Sequence, residues 1–182
     1  AQATVACNQL DALQLLVRQM QGVFLAEFEL IESGLQLDLE IIEKPATWID
    51  KKSQRRLIDL VDVAPHGVIR MSDAMEGLVE SSSNLAIVQS SDTEVEIISL
   101  VRSSVDSARD MICQQHKALG RLAGASTLIG GEYPGWKPDM NSQVLSVMRQ
   151  VYQELFAAPA QIGAIHAGLE CGIIGGMYPH LD

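Results

Sequence analysis

Two alternating stretches stand close together in the chain, NLAIVQ from Asn84 to Gln89 and EVEIISLVR from Glu94 to Arg102, joined by SSDT. Successive side chains of a strand point to opposite faces, and a connection this short leaves two strands little choice but to lie antiparallel and adjacent. The SSDT link is made of turn-forming residues. A hairpin is therefore expected at residues 84–102, and the remaining segments must be arranged around it.

Several of those segments carry a clear period. Leu10, Leu13, Leu16, Val17, Met20, Phe24, Phe28 and Ile31 recur at helical spacing, with Gly34 as the expected stop. LQLDLEI alternates, with Leu35, Leu37, Leu39 and Ile41 on one side, and predicts a half-buried strand ended by Pro45. A helix capped by Thr47 is expected through Val63, broken by Pro65, His66 and Gly67, with a loop from there to about Gly77. Another helix is expected from Asp106 to Leu122, stopped by Gly124, and a third from Ser142 to Phe156. Ala3–Cys7, Ser126–Tyr133 and Gln161–His166 read as short strands, the last running through a Gly-rich turn into a short helix.

The order that results is strand, helix, strand, helix, strand, strand, helix, strand. It lacks regular βαβ alternation and predicts an α+β fold, a two-layer sheet with helices on one face. Apolar residues make up 47% of the 182, enough for a core built on Leu, Ile, Val and Ala. YPGWKPD, Tyr133 to Asp139, fixes backbone torsions at two prolines and suits a crossing linker. A domain boundary is placed there, with an α+β domain at 1–138 and an α/β piece at 139–182, the latter too small to close a core alone. Both ends of the sequence read as interrupted, the first in a strand already under way.

Charge excludes some functions. The formal net charge is −10, and the densest basic patch, KKSQRR at Lys51–Arg56, reads as the solvated face of a helix. Nucleic acid is not an expected partner. No apolar run reaches the roughly 18 residues of a membrane span, so no membrane partner is expected. Cys7, Cys113 and Cys171 are odd in number and scattered, which favours a reducing, cytoplasmic setting over a disulfide framework.

Self-contained catalytic chemistry is hard to assemble. Zinc needs three or four converging ligands, and His66, His116, His166 and His180 form no pair at ligand spacing with one another. His166 and Glu170 are four residues apart, but Gly168 lies between them. Cys171 is either a nucleophile at a helix start or a small buried thiol. Arg102, leaving a strand for a loop, either presents its fork to a carboxylate or pairs with a local acid such as Asp106. AIHAGLECG, Ala164–Gly172, is a strand-to-helix turn, and its glycines also allow a ligand close to the backbone.

Taken together and in order, PHGVIRMSD, GLVESSSNLAIV, LVRSSVDSARD, EYPGWKPD and IHAGLECG resemble the bacterial aminoacyl-histidine dipeptidases. The resemblance implies a zinc-dependent hydrolase with an α/β catalytic domain and an inserted α+β lid that forms a homodimer contact. A metal-bound hydroxide would attack the dipeptide carbonyl, with a glutamate as general base. The metal-ligand motifs of that family are missing, so zinc is expected in a longer protein and none in this chain. Arg102 matches the lid arginine that takes the substrate carboxylate. His166, Gly168 and Glu170 match the turn that lines the substrate pocket, and Glu170 matches neither a zinc ligand nor the general base. The alternative is a free-standing α+β dimerisation or binding module without catalytic activity.

Overall fold

The hairpin forms where alternation places it. In the computed structural model, which describes residues 2–136, 139–163 and 170–181, strand β2 (Val79–Ser90) pairs antiparallel with β3 (Val95–Ser103). The turn is closed by Ser91, whose N–H donates to the Glu94 carbonyl at 2.8 Å and whose hydroxyl accepts from the Thr93 and Glu94 amides. Here the serines supply the local hydrogen bonds that fold the chain back.

A third strand, β1 (Gly67–Met71), pairs antiparallel with β2 and gives the sheet the order β1-β2-β3. Sequence reading expects a loop here. The Pro65, His66, Gly67 break hides a strand of five residues, all exposed, with no alternation of burial to reveal it. Gly67, at φ 89°, supplies the left-handed turn into that strand. His66 continues the ladder with its side chain, its Nδ1 accepting the Leu85 amide at 3.0 Å.

Helix α3 (Asp106–Ala123) covers one face of the sheet, and α2 (Lys51–Val63) packs on α3. The covering stripe of α3 recurs every four residues, Ala108, Ile112, His116 and Gly120, which is one face of an α-helix. Ile112 is 0% exposed and forms the centre of the core. Opposite it the sheet offers small polar residues, Ser81 and Ser83, both about 1% exposed. Their hydroxyls are satisfied: Ser81 Oγ lies 2.8 Å from Ser103 Oγ, and Ser83 Oγ lies 3.1 Å from His116 Nε2. The buried Glu80 carboxylate is matched by Arg70 and by the Ser81 hydroxyl. The architecture is α+β, a three-stranded antiparallel sheet with helices layered on one side.

Helix ends follow the expected chemistry. Gly124 adopts φ 71°, and the backbone closes with Ala125 N–H on the Gly120 carbonyl at 2.8 Å and Gly124 N–H on Arg121. Ser142 caps α4 (Gln143–Phe156), its hydroxyl accepting the Leu145 amide at 3.0 Å. The apolar stripe of α4, including Val147, Met148, Leu155 and Phe156, is exposed. A last helix, α5 (Glu170–Met177), follows.

By its contacts the chain forms two compact units, divided between Asp50 and Lys51. The first contains α1 (Leu10–Phe28), which ends six residues before Gly34 in a turn where Ile31 and Glu32 donate to the Phe28 carbonyl. Leu35–Ile41 has no strand partner among the described residues. The side chain of Gln21 engages that segment instead, donating to the Leu35 carbonyl at 2.8 Å and accepting the Leu37 amide at 2.5 Å. Lys44 lies over the Trp48 ring at 4.9 Å. Residues 3–7 and 126–133 likewise form no strand, and α2 begins four residues after Thr47. Of the strand expected at Gln161–His166, residues 161–163 form no strand and residues 164–166 lie outside the described residues.

Candidate functional site

Arg102 is the last residue but one of β3 and is exposed. It stands opposite Ser82, which stands opposite Val68 of β1. Alternation puts Arg102 and Ser82 on the face of the sheet turned away from Ser81, Ser83 and α3. The strand thus presents the guanidinium beyond the core, at the point where the chain turns into α3. Val105 N–H donates to Ser103 Oγ at 3.1 Å, and Ser103 Oγ donates to the Val105 carbonyl, so this corner is held by a local side-chain bond.

The corner is also packed from outside. Asp106, the first residue of α3, accepts the Gly135 amide at 2.9 Å and Arg109 Nη1 at 3.0 Å through a single oxygen, Oδ1. Arg109 Nη1 in turn donates to the Tyr133 carbonyl at 2.8 Å. The PGW segment is therefore bound to the N-terminal turn of α3 by its backbone. Burial disfavours the charge on Arg109, but its hydrogen bond to Asp110 and the nearby Asp106, Asp110 and Glu132 carboxylates outweigh this, and its pKa is raised.

Two glycines make the close approach possible. A Cβ at Gly135 would sit 2.6 Å from the Ser104 carbonyl oxygen, and one at Gly172, in α5, 2.8 Å from the Pro134 carbonyl oxygen. Ser104, the Pro134–Gly135 backbone and α5 are thus stacked in direct contact. Arg102 is two residues from Ser104, and Glu170 two residues from Gly172. The structure brings the neighbourhoods of these two sequence-predicted residues together through the PGW segment. Glu170 is exposed at the start of α5. His166 and Gly168 lie outside the described residues.

Sequence reading treats Asp106 as the start of a helix and YPGWKPD as a linker. The missed signal is the Asp-x-x-Arg spacing of Asp106 and Arg109 on the first turn of α3, three apart on one helix face. Cys171, the alternative nucleophile, is exposed, which removes the reading as a buried thiol. A separate depression of about 390 Å³ opens at the start of α4, lined by Met140, Asn141, Ser142, Leu145, Ser146 and Arg149. Neither Arg102 nor Glu170 lines it.

No family model matches the sequence. The chain is 41% identical, over all 182 of its residues, to the cytosol non-specific dipeptidase of Escherichia coli (strain K12), and spans 38% of that protein's length. Its fold matches the crystal structure of the aminoacylhistidine dipeptidase from Vibrio alginolyticus with a TM-score of 0.91 and 33% identity. That match covers 96% of this chain and 36% of the dipeptidase. This chain is similar to part of a dipeptidase. It spans between a third and two fifths of the dipeptidases it matches. Among the described residues no three His, Cys, Asp or Glu side chains converge as metal ligands. The donor set described here does not fit a zinc site, and none of these residues is assigned to a metal.

Proposed function

We propose that this chain is the lid and part of the substrate pocket of a zinc dipeptidase that hydrolyses aminoacyl-histidine dipeptides. Residues 1–138 form the lid-type domain and residues 139–182 a piece of the catalytic domain. The observation that carries this reading is similarity along the whole chain to dipeptidases, in sequence and in fold. The exposed apolar stripe of α4 supports it, since a helix with an apolar face needs a covering neighbour, as a piece of a larger core would.

Arg102 takes the C-terminal carboxylate of the dipeptide through a bidentate, charge-assisted pair. Its place near the end of β3, exposed on the sheet face turned away from α3, supports this role. His166, Gly168 and Glu170 line the pocket at the turn into α5. Zinc, held by ligands outside this chain, would supply the Lewis acid and the activated water. The protein is cytoplasmic and forms a homodimer through the lid. Among the described residues no helix is long and apolar enough to cross a membrane.

The test is to express the complete reading frame that contains this chain beside the chain alone, and to assay both on aminoacyl-histidine dipeptides with zinc. The longer protein is expected to hydrolyse them and the 182-residue chain to be inactive. An inactive longer protein without metal-ligand motifs would leave the α+β binding module as the better reading. Activity in the chain alone would overturn the assignment of zinc ligands to other segments.

A further inference from the structure

We infer that Asp106 and Arg109 are positioning residues, which hold the Tyr133–Trp136 segment by its backbone and so fix the Arg102 end of β3 against the start of α5. The inference rests on the proposed role of Arg102. Three observations carry it. Asp106 Oδ1 is shared between Arg109 Nη1 and the Gly135 amide, and Arg109 Nη1 is shared between Asp106 and the Tyr133 carbonyl. Both bonds from α3 to the segment end on main-chain atoms, so they set its position whatever its side chains do. On the segment's two sides the neighbours are backbone as well, Ser104 beyond Gly135 and α5 beyond Pro134, with a Cβ excluded at Gly135 and at Gly172.

This arrangement is stiff for a physical reason. A side chain caught in a contact can rotate away, but a carbonyl facing a glycine Cα cannot move without its chain. Arg109 is anchored further by Asp110, whose Oδ1 accepts from Nε at 3.2 Å and Nη2 at 3.0 Å. Of the Arg109 side chain 18% is exposed, while its partners Asp106 and Asp110 are more than half exposed, so the position of the clamp rests on its geometry and not on the strength of its ion pairs. A ligand held at one end by Arg102 and passed across the α5 start needs the two ends at a set separation. The clamp sets it.

The test uses the full-length protein that contains this chain and two substrates, an aminoacyl-histidine dipeptide and its C-terminal amide. The ratio of kcat/KM between acid and amide reads the carboxylate contact. Arg102→Ala is expected to collapse that ratio. Asp106→Ala and Arg109→Ala are each expected to lower it about tenfold, through KM for the acid, since small misplacements of a binding group are costly. Adding Asp106→Ala or Arg109→Ala to Arg102→Ala is expected to cause no further loss of the ratio, because the group they position is already gone. Asp106→Asn, which keeps an oxygen for the Gly135 amide, and Arg109→Lys, which keeps a charge, are expected to recover part of the ratio. Should an alanine variant lose cooperative thermal unfolding, these two carry the test, with ratios expected below the parent's.

If the ratio stays at the parent value in folded Asp106 and Arg109 variants while Arg102→Ala collapses it, the clamp has no positioning role and the reading of Arg102 stands. If Arg102→Ala leaves the ratio unmoved, the reading of Arg102 fails and the inference fails with it. A parent protein that hydrolyses neither substrate overturns the proposed function itself.

Discussion

Replacing Ile112 by alanine tests whether α3 covers the face of the sheet assigned to it. Ile112 is 0% exposed and is the largest fully buried side chain described. The substitution removes three carbons, worth about 2.4 kcal/mol at roughly 0.8 kcal/mol per buried methylene, and leaves a cavity that brings the cost to about 3–4 kcal/mol. Ile112→Val removes one carbon and is expected to cost about 1 kcal/mol. Ile98 is the informative control. It lies on β3 but is 41% exposed, and Ile98→Ala is expected to cost about 1 kcal/mol with no cavity term. Urea unfolding of the 182-residue chain, followed by far-ultraviolet circular dichroism, gives all three values by linear extrapolation. The Ile112→Ala midpoint should fall by about 1.5 M urea, several times the fall for Ile98→Ala. Equal losses at the two positions would refute the layering of α3 on the sheet.

Stability should also fall on acidification, through His116. Burial lowers its folded pKa below the ordinary 6.5. Above 6.5 both states are neutral; as pH falls through 6.5 toward the lowered folded value, the unfolded chain takes a proton the folded one resists, and stability drops. The urea midpoint should therefore decline more between about pH 7.5 and about pH 5 in the parent than in His116→Gln, and parallel curves would contradict the burial. Burial also pushes the Cys113 thiol up, with Arg109 opposing and Glu132 and Asp110 reinforcing the shift. Iodoacetamide at mildly alkaline pH should modify the exposed Cys7 and Cys171 before Cys113 by peptide mass spectrometry; Cys113 reacting first would count against this. Ala157 caps α4 in the left-handed region at φ 50°, so Ala157→Gly should raise the unfolding midpoint, by about 1 kcal/mol or less, and a lowered midpoint would show the strain to be absent.

What was legible in the sequence is what local chemistry decides. Alternation located the hairpin because one face of β3 is covered at Val95, Ile97, Ser99, Val101 and Ser103 while its other face is open. Helix α3 ended at the glycine expected to end it, and α4 began beside Ser142, where the helix was expected to start, since both ends are fixed by hydrogen bonds made within a few residues. Strand β1 escaped because an edge strand exposed along its length carries no burial pattern. The residues Asp106, Arg109 and Gly135 were each visible, but their meeting spans 24 to 29 residues of separation, and nothing periodic marks it. Arg102 was legible at the strand end only as a choice between a carboxylate ligand and a local acid.

The segments that alternate without forming a ladder give the converse lesson. LQLDLEI has the period of a strand with one face buried, yet in its own unit Gln21 answers the Leu35 carbonyl and the Leu37 amide. Period reports the surroundings a segment is suited to, whereas a ladder requires a second chain segment at about 4.8 Å. The same holds for α4, whose apolar stripe satisfies every helical rule and still faces outward. An alternating segment and an amphipathic helix left uncovered are a poor outcome for a finished core, since apolar area buried is the main source of stability. They fit the proposed reading of the chain as a piece of a larger protein, since it spans 38% and 36% of the dipeptidases it matches. On this argument the longer protein should protect the Leu35–Ile41 amides from hydrogen exchange far better than the 182-residue chain does, because only there would the segment gain a paired neighbour. Equal exchange in the two would mean that its alternation serves something other than a sheet.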